Sequence, residues 1–495
     1  MNTYKINKTS VKILEIKNNE RKALSARDYR ELQISNSNVK KLSTLLIDDP
    51  KQGKEIGSPY YMKKSTHRFL KTVNISENFL VDLSTIEYCK PGNSVFPKKN
   101  EILIVKDGVG NGLGNVALYP YNNDDNMDSI SSGLISINVK EKLKYYVLAM
   151  LKSQHFKDFI DLNTAQGSTI RHSQKIALEY NVPFPVSENN ISTENVIKLV
   201  DGIMKNIISK EKQIKKKEYK INEIIYNELK NNQKVGGYKQ THTRISLIKE
   251  KNRLDSGLYE RKYKELEFLI ENYKNSFFTI PKDKFKSGST PKIRIFNPKN
   301  SNFNWVTPTL ITDNGFYKPY TSINMKTNNN LSKDSILIIN RTSKGKKGEY
   351  VGIACYYPIC KYGKGHHNQG IYRIEDYTKE EKLFIVCLLN SDLYRKLCGC
   401  ISIGSKMKEM KVTDFSELKF LDFKVDRRNE VIREYYNEVN KEKINLDNYI
   451  NYNKNRNQSL GIFQNSYELV ELRKKLDEII HKIIFKEEIK VDDYL

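Results

Sequence analysis

The second half of this chain repeats the first, and no other feature limits the possible folds as sharply. Leu24-Ser-Ala-Arg-Asp-Tyr29-Arg-Glu-Leu32 has a counterpart in Leu254-Asp-Ser-Gly-Leu-Tyr259, followed by Tyr263-Lys-Glu-Leu266. Ile102-Leu-Ile-Val-Lys106 runs into a glycine-rich turn and Val116-Ala-Leu-Tyr119; Ile336-Leu-Ile-Ile-Asn340 runs into another and Val351-Gly-Ile-Ala-Cys-Tyr356. Ser132-Gly-Leu-Ile-Ser-Ile137 corresponds to Gln369-Gly-Ile-Tyr-Arg-Ile374. Gly167-Ser168, a basic stretch and Val182-Pro-Phe-Pro185 correspond to Gly404-Ser405, a basic stretch and Leu418-Lys-Phe-Leu421. The offset drifts only from 230 residues at Leu24 and Leu254 to 237 at Gly167 and Gly404; coincidental matches would scatter it. A chain of 495 residues is too long for one ordinary domain, and the duplication divides it into unit, linker, unit and tail.

Within each unit, short β-branched runs bounded by Gly, Asn or Pro read as strands. Helical stretches such as Tyr145–Lys152 and Glu380–Leu389 follow them. The expected class is α+β: two duplicated mixed α/β domains, separated and followed by long coiled-coil helices. The boundaries expected are 1–188 for the first domain (1–23 an N-terminal extension), 189–240 for a helical spacer, 241–424 for the second domain and 425–495 for C-terminal helices.

The spacer pattern begins at a capping region, Ser192-Thr-Glu-Asn195, and ends by Val235-Gly-Gly237. Val200, Ile203, Ile207, Ile214, Ile221 and Ile224 keep a heptad spacing, with Lys210 and Lys217 interrupting two d positions. A second helix is expected from about Arg427 to Asn451. A third, after a break around Asn455–Phe463, carries Leu469, Leu472, Leu476, Ile479 and Ile483 at strict 3,4 spacing, a coiled-coil seam. A helix of some 40 residues spans about 60 Å, a length that suits a rigid spacer better than a core helix.

Charge narrows the partner. Lys plus Arg number 84 against 59 Asp plus Glu, a formal surplus of +25. Abundant Lys, Asn, Ile and Tyr look like AT-rich codon bias, but that bias raises Glu as well as Lys and does not produce the surplus. A polyanion fits it, because each cation set on a phosphate releases condensed counterions. No apolar run of 18 residues predicts a membrane span, and the first residues lack the apolar core of a signal peptide. Six cysteines make no disulfide framework; a reducing cytoplasm is the expected compartment.

Catalytic motifs are absent. The Asn/Asp-Pro-Pro-aromatic turn of an amino-methyltransferase does not occur, nor does a Walker A loop. Gly108-Val-Gly-Asn-Gly-Leu-Gly114 follows a strand but leads into Asn115-Val-Ala-Leu-Tyr119, another strand, so no helix N-terminus would hold a pyrophosphate. His366-His367-Asn368 has its next histidine only at His481. Cys355, Cys360, His366, Cys398 and Cys400 lack the paired spacing of a zinc site, and buried cysteines are the simpler reading. No catalytic residue and no metal site is expected.

The duplicated loops carry residue types that touch DNA phosphates and base edges. In the first unit these are Lys63, Lys64, Arg68, Lys106, Asn111, Ser168, Arg171, His172 and Lys175. In the second they are Lys286, Ser289, Thr290, Lys292, Arg341, Ser343, Lys344, Lys346, Lys347, Ser405, Lys406 and Lys408. Single charged loops are usually just solvated; recurrence at matched places in two repeats favours binding. A coiled-coil adaptor or regulatory protein of a phage-defence system, and an RNA-binding module using the 31 tyrosines, are the rivals.

Lys286-Ser-Gly-Ser-Thr-Pro-Lys292, Trp305-Val-Thr307, Leu331-Ser, Ile336–Asn340 with its glycine turn, His367-Asn-Gln-Gly370 and the Gly404-Ser405 segment together resemble the specificity subunits of type I restriction–modification enzymes. The resemblance covers nearly the whole chain, since unit, long helix, unit, long helix is that family's layout. It implies two target-recognition domains, each reading half of a bipartite duplex DNA site, and two helices pairing as an antiparallel coiled coil that fixes the unread spacer. It implies methyltransferase subunits docked on those helices through residues such as Val200, Ile203, Ile207, Ile214, Ile221, Leu469, Leu472, Leu476, Ile479 and Ile483. S-adenosylmethionine would then act on adenine in the partner, with ATP and magnesium if a motor–nuclease subunit joins. The chain itself would hold no cofactor. The first unit departs from the pattern, with Lys51-Gln-Gly-Lys-Glu-Ile-Gly57 in place of the Ser-Gly-Ser-Thr-Pro opening, and the tail helix after Asn455 departs from a simple two-helix symmetry.

Overall fold

The computed structural model describes residues 32, 34–90, 92, 94–122, 127–164, 169–186, 193–234, 236, 238, 245, 248–249, 253, 256–293, 295–296, 303–319, 321–324, 330–343 and 350–495. Two compact units divide the chain. Unit 1 holds the described residues up to Glu211 with Lys441–Asn457 and Glu471–Leu495; unit 2 holds Lys212–Asn440 and Gln458–Val470.

In unit 1 the strands are β1 (Val39–Lys41), β2 (Lys51–Gln52), β3 (Tyr61–Met62), β4 (His67–Leu70), β5 (Glu87–Cys89), β6 (Ile102–Val105), β7 (Asp107–Gly108), β8 (Val116–Leu118), β9 (Met127–Ile130), β10 (Leu134–Ile137), β11 (Arg171–His172) and β12 (Asn181–Pro183). They form sheets in the orders β2-β10-β6-β8, β3-β5-β4-β9, β1-β12 and β11-β7. The all-apolar run of β6 is buried on both faces, as an inner strand must be. Helices α1 (Lys144–Lys152) and α2 (Gln154–Asn163) follow β10, divided at Ser153, whose hydroxyl caps α2 through the Phe156 amide.

Unit 2 repeats this strand for strand. β13 (Phe277–Phe278), β14 (Lys286–Ser287), β15 (Ile295–Phe296), β16 (Phe303–Val306), β17 (Ser322–Asn324), β18 (Ser335–Ile339), β19 (Arg341–Thr342), β20 (Ala354–Tyr357), β21 (Gly365–His367), β22 (Ile371–Ile374), β23 (Lys408–Glu409) and β24 (Phe420–Leu421) form sheets β14-β22-β18-β20, β15-β17-β16-β21, β13-β24 and β19-β23. Each order is that of unit 1 with the strand numbers raised by twelve. The parallel pairings among named strands also match, β4 with β9 and β16 with β21. The sequence repeat is therefore a repeat of topology and register: Ile104 lies between Ile135 and Val116, and Ile338 between Tyr372 and Ala354.

The remaining helices are α3 (Thr193–Asn231), α4 (Arg261–Glu271), α5 (Ile359–Tyr362), α6 (Lys379–Asn390), α7 (Asp392–Ile401), α8 (Val412–Ser416), α9 (Val425–Tyr435), α10 (Tyr449–Ser459) and α11 (Ile462–Phe485), with α3, α10 and α11 divided between the two units. Ser391 divides α6 from α7 as Ser153 divides α1 from α2.

The first unit's apparent departure at Lys51–Gly57 is no departure in structure. Lys51-Gln52-Gly53 takes the place of Lys286-Ser287-Gly288: β2 and β14 are twins, and each glycine is pressed against the turn entering the last strand of its sheet. A Cβ on Gly53 would come within 2.0 Å of the Ser131 carbonyl oxygen, and one on Gly288 within 2.2 Å of that of Asn368. Only glycine permits so close an approach.

The long helices carry the expected seam and one unexpected gap. Val200, Ile203, Ile207, Ile214, Ile221 and Ile224 of α3 are all buried, as are Leu472, Leu476, Ile479 and Ile483 of α11, and Leu469 is partly buried against the core. In unit 1, α10 runs parallel to the first part of α3, with Gly202 against Tyr449 and Lys210 donating to Asn457 Oδ1 at 2.8 Å. In unit 2, α9 runs antiparallel to the second part, with Lys217 on Glu434 at 2.7 Å and Arg427 near Glu228 at 3.6 Å. The lysines at d positions are thus paired and buried. The helix expected over 427–451 is interrupted between Tyr435 and Tyr449. Residues 438–443 are exposed, so this Asn- and Lys-rich stretch has no apolar face whose burial would hold a helix together. The later break falls at Leu460 and Gly461, and residues 455–459 are helical.

Candidate nucleic-acid interface

A two-stranded ribbon gathers most of the described basic residues that the sequence picks out in unit 2. β19 pairs antiparallel with β23, setting Arg341 opposite Glu409 and Thr342 opposite Lys408. Ser343, Ser405 and Lys406 are exposed at its ends, while Arg341 and Lys408 are half-buried, their stems along the protein. The ribbon is tied to the sheet at Asn340, whose amide donates to the Gly370 carbonyl at 3.0 Å and whose carbonyl accepts from the Met410 amide at 2.8 Å. The turn His367–Gly370 then connects the ribbon with the exit of β14. The Ser289 amide donates to the His367 carbonyl at 3.1 Å, and the Arg341 amide approaches the Gly370 carbonyl at 3.4 Å. Ser289, Thr290 and Lys292, all exposed, flank one side of this turn and Arg341 the other. Lys286 reaches Glu375 at 3.1 Å. Lys344, Lys346 and Lys347 lie outside the described residues.

Unit 1 builds the same ribbon from other side chains. β7 pairs with β11, setting Arg171 opposite Gly108 and His172 opposite Asp107. Lys106 takes the role of Asn340: its amide donates to Gly133 at 2.9 Å and its carbonyl accepts from Ser173 at 2.7 Å. The charges differ. Asp107 binds Lys106 at 2.6 Å and His172 at 2.9 Å, and Asp161 binds Arg171 at 2.8 Å. Lys106 is itself buried. Lys175 is exposed beyond the ribbon, Asn111 lies in the 3-10 turn Gly110–Gly112 that follows β7, and Ser168 lies outside the described residues.

Lys63 and Lys64 are exposed and follow β3, in the other four-stranded sheet. Two expectations need correction in place. Arg68 is committed to the fold: its guanidinium grips both oxygens of the fully buried Asp128 at 2.6 and 2.7 Å, and Tyr119 donates to the same carboxylate at 2.8 Å. The apolar helix residues from Val200 to Ile483 are packed within this chain, so they do not offer a surface to another protein.

His366, His367, Cys355 and Cys398 serve the core, whereas Cys360, expected to be buried, is exposed and Cys400 is half-buried. Trp305 stacks on His366 with ring centroids 5.8 Å apart and planes 7° from parallel, and His366 Nε2 meets Ser289 Oγ at 3.0 Å. Burial lowers the pKa of both His366 and His367, the latter to about 3, so both rings are neutral. Cys355 and Cys398 are fully buried, and burial raises both thiols. Sequence reading passed over Gln369, exposed at the tip of the turn between the ribbon and β14. Its match in unit 1 is Ser132, which donates to Glu55 at 2.8 Å; the repeat alignment carried that signal.

No protein-family model and no curated protein matches the sequence. Among solved structures the chain is similar to the S subunit of a type I restriction-modification system from M. genitalium, at 14% identity and a TM-score of 0.43, covering 92% of this chain and 98% of that one. It is also similar to the HsdS subunit from Thermoanaerobacter tengcongensis, at 10% identity and a TM-score of 0.26, over 90% and 96% of the two chains. A third similarity is to a structure that describes complex assembly and conformational transition of the type I R-M system, at 9% identity and a TM-score of 0.27, over 92% and 100%. Two of these three structures are described as the S or HsdS subunit, and the third as part of a type I R-M system.

Proposed function

We propose that this chain is a non-catalytic specificity subunit that reads a bipartite duplex DNA site, one half with each repeat, and directs a partner adenine methyltransferase to it. The observation that carries the reading is the ribbon. Both repeats build it on the same backbone frame, on twin strands hung from Gly133 or Gly370, and each dresses that frame differently: Arg341 and Lys408 in unit 2, carboxylate-paired Arg171 and His172 in unit 1. A frame kept while its side chains change is what two readers of different sequences require. The surplus of +25 supplies the sequence-independent attraction to phosphate.

In this reading the methyl donor, S-adenosylmethionine, is bound by the partner, and ATP and magnesium belong to any motor–nuclease subunit that joins. The compartment is the cytoplasm of a prokaryote. The test is selection from random duplex oligonucleotides with the full-length chain, alone and with its partner subunits. A two-part motif with an unread gap of fixed length is expected. A contiguous motif, or recovery of no motif in either form, sinks the proposal.

A further inference from the structure

Exposed apolar side chains border both ribbons: Val109 follows β7 and Ile403 pairs with Glu409, and each repeat sets one more at the start of its second ribbon strand. Met407 is 50% exposed between Lys406 and Lys408, and Ile170 is 51% exposed next to Arg171. The positions are equivalent: each residue directly precedes its ribbon strand, β23 or β11, and these strands are twins. In unit 2 the backbone holds Met407 out at a hairpin tip. Ile403 and Glu409 exchange two backbone hydrogen bonds of 2.9 Å, closing the loop between them. Gly404 enters that loop at φ +107, and a Cβ there would come within 2.0 Å of the Met407 carbonyl oxygen.

A single exposed apolar side chain is ordinary. The same exposure at the same place in two repeats whose ribbon side chains otherwise differ is a pattern, and neither residue serves a core. The cations beside them suit phosphate; the apolar tip suits the one apolar group on a base edge in the major groove, the thymine C5-methyl.

We propose that Met407 and Ile170 are specificity-determining residues, each packing on the C5-methyl of a thymine in the half-site its repeat reads. The inference rests on the DNA reading above. Its test uses the full-length chain and the duplex recovered by selection, with each thymine replaced in turn by deoxyuridine, which removes only that methyl. One replacement in each half weakens wild-type binding roughly fourfold, the worth of one buried methyl-sized group. Met407→Ala abolishes that sensitivity in one half and leaves the other half's intact; Ile170→Ala does the reverse. Because both side chains lie outside the cores, the variants keep the wild-type melting temperature. Undiminished deoxyuridine sensitivity in the variants, no sensitivity in the wild type, or a selected site without thymine overturns the assignment while the DNA reading stands. Failure of the wild type to bind any duplex overturns both.

Discussion

Arg68 and Trp305 sit one register position apart on the twin strands β4 and β16, and each ties its strand to the parallel neighbour in a different way. Each sits in the strand that pairs in parallel with its neighbour, Arg68 beside Asp128 and Trp305 beside His366. One pair is a buried bidentate ion pair, the other a stacked pair of rings. Removing one partner of a buried ion pair strands the other charge. Arg68→Met should therefore destabilise unit 1 by about 3–5 kcal/mol, visible as a lower denaturant midpoint, whereas Lys175→Ala should leave that midpoint unchanged. A second prediction concerns Lys152, whose ammonium faces the Ser76 and Asn78 carbonyls near Glu211, Arg473, Lys157 and Glu77. Burial lowers its pKa to about 7 from the ordinary 10.5. Between those values the unfolded chain holds a proton that the native state has released, so stability rises with pH across the window. Lys152→Met should flatten that rise when denaturant midpoints are compared at pH 7 and pH 9.5; an unchanged slope would refute the assignment.

At the scale of the element, α3 is instructive because its apolar seam is interrupted by lysines that the tail helices satisfy. Lys217 and Lys220 both hold Glu434, at 2.7 and 2.8 Å. Burial pushes the Glu434 carboxyl up, yet the two lysines outweigh it and hold its pKa below the ordinary carboxylate value. This stabilisation is present above about pH 4.5 and is lost as pH falls through the lowered value. Glu434→Leu leaves Lys217 buried without its carboxylate and should cost several kcal/mol. Lys217→Met with Glu434→Leu should recover much of that loss, because a buried ion pair replaced by apolar groups is often neutral. A double-mutant cycle on the full chain measures the coupling. If the double variant is as unstable as Glu434→Leu alone, the pair is not what holds α9 on α3.

For the whole molecule, the duplication makes the two halves separable by mutation. Arg341→Ala with Lys408→Ala should weaken binding to the second half-site alone. The salt dependence should shrink by about one unit of slope for each cation withdrawn from a phosphate. Equal loss at both half-sites, measured with duplexes scrambled in one half at a time, would contradict two independent readers. Much of this architecture was legible in the residues. The apolar run Ile102–Val105 and its echo Ile336–Ile339, the glycine turns after them, and the heptads of α3 and α11 are local patterns, and local periodicity is what a sequence displays directly. The ribbons were not legible as pairs, because β7 and β11 are two residues each and lie more than sixty positions apart. The role of Arg68 was hidden for the same reason: a basic residue after two lysines reads as surface until its strand is set beside Asp128. By itself, then, the sequence determined that the fold is built twice and where its apolar inner strands and the heptad stretches of α3 and α11 lie, since these follow from repetition and period. The tertiary structure alone decided which charges face solvent and which are consumed in the core, because that depends on partners far away in the chain brought together only by packing.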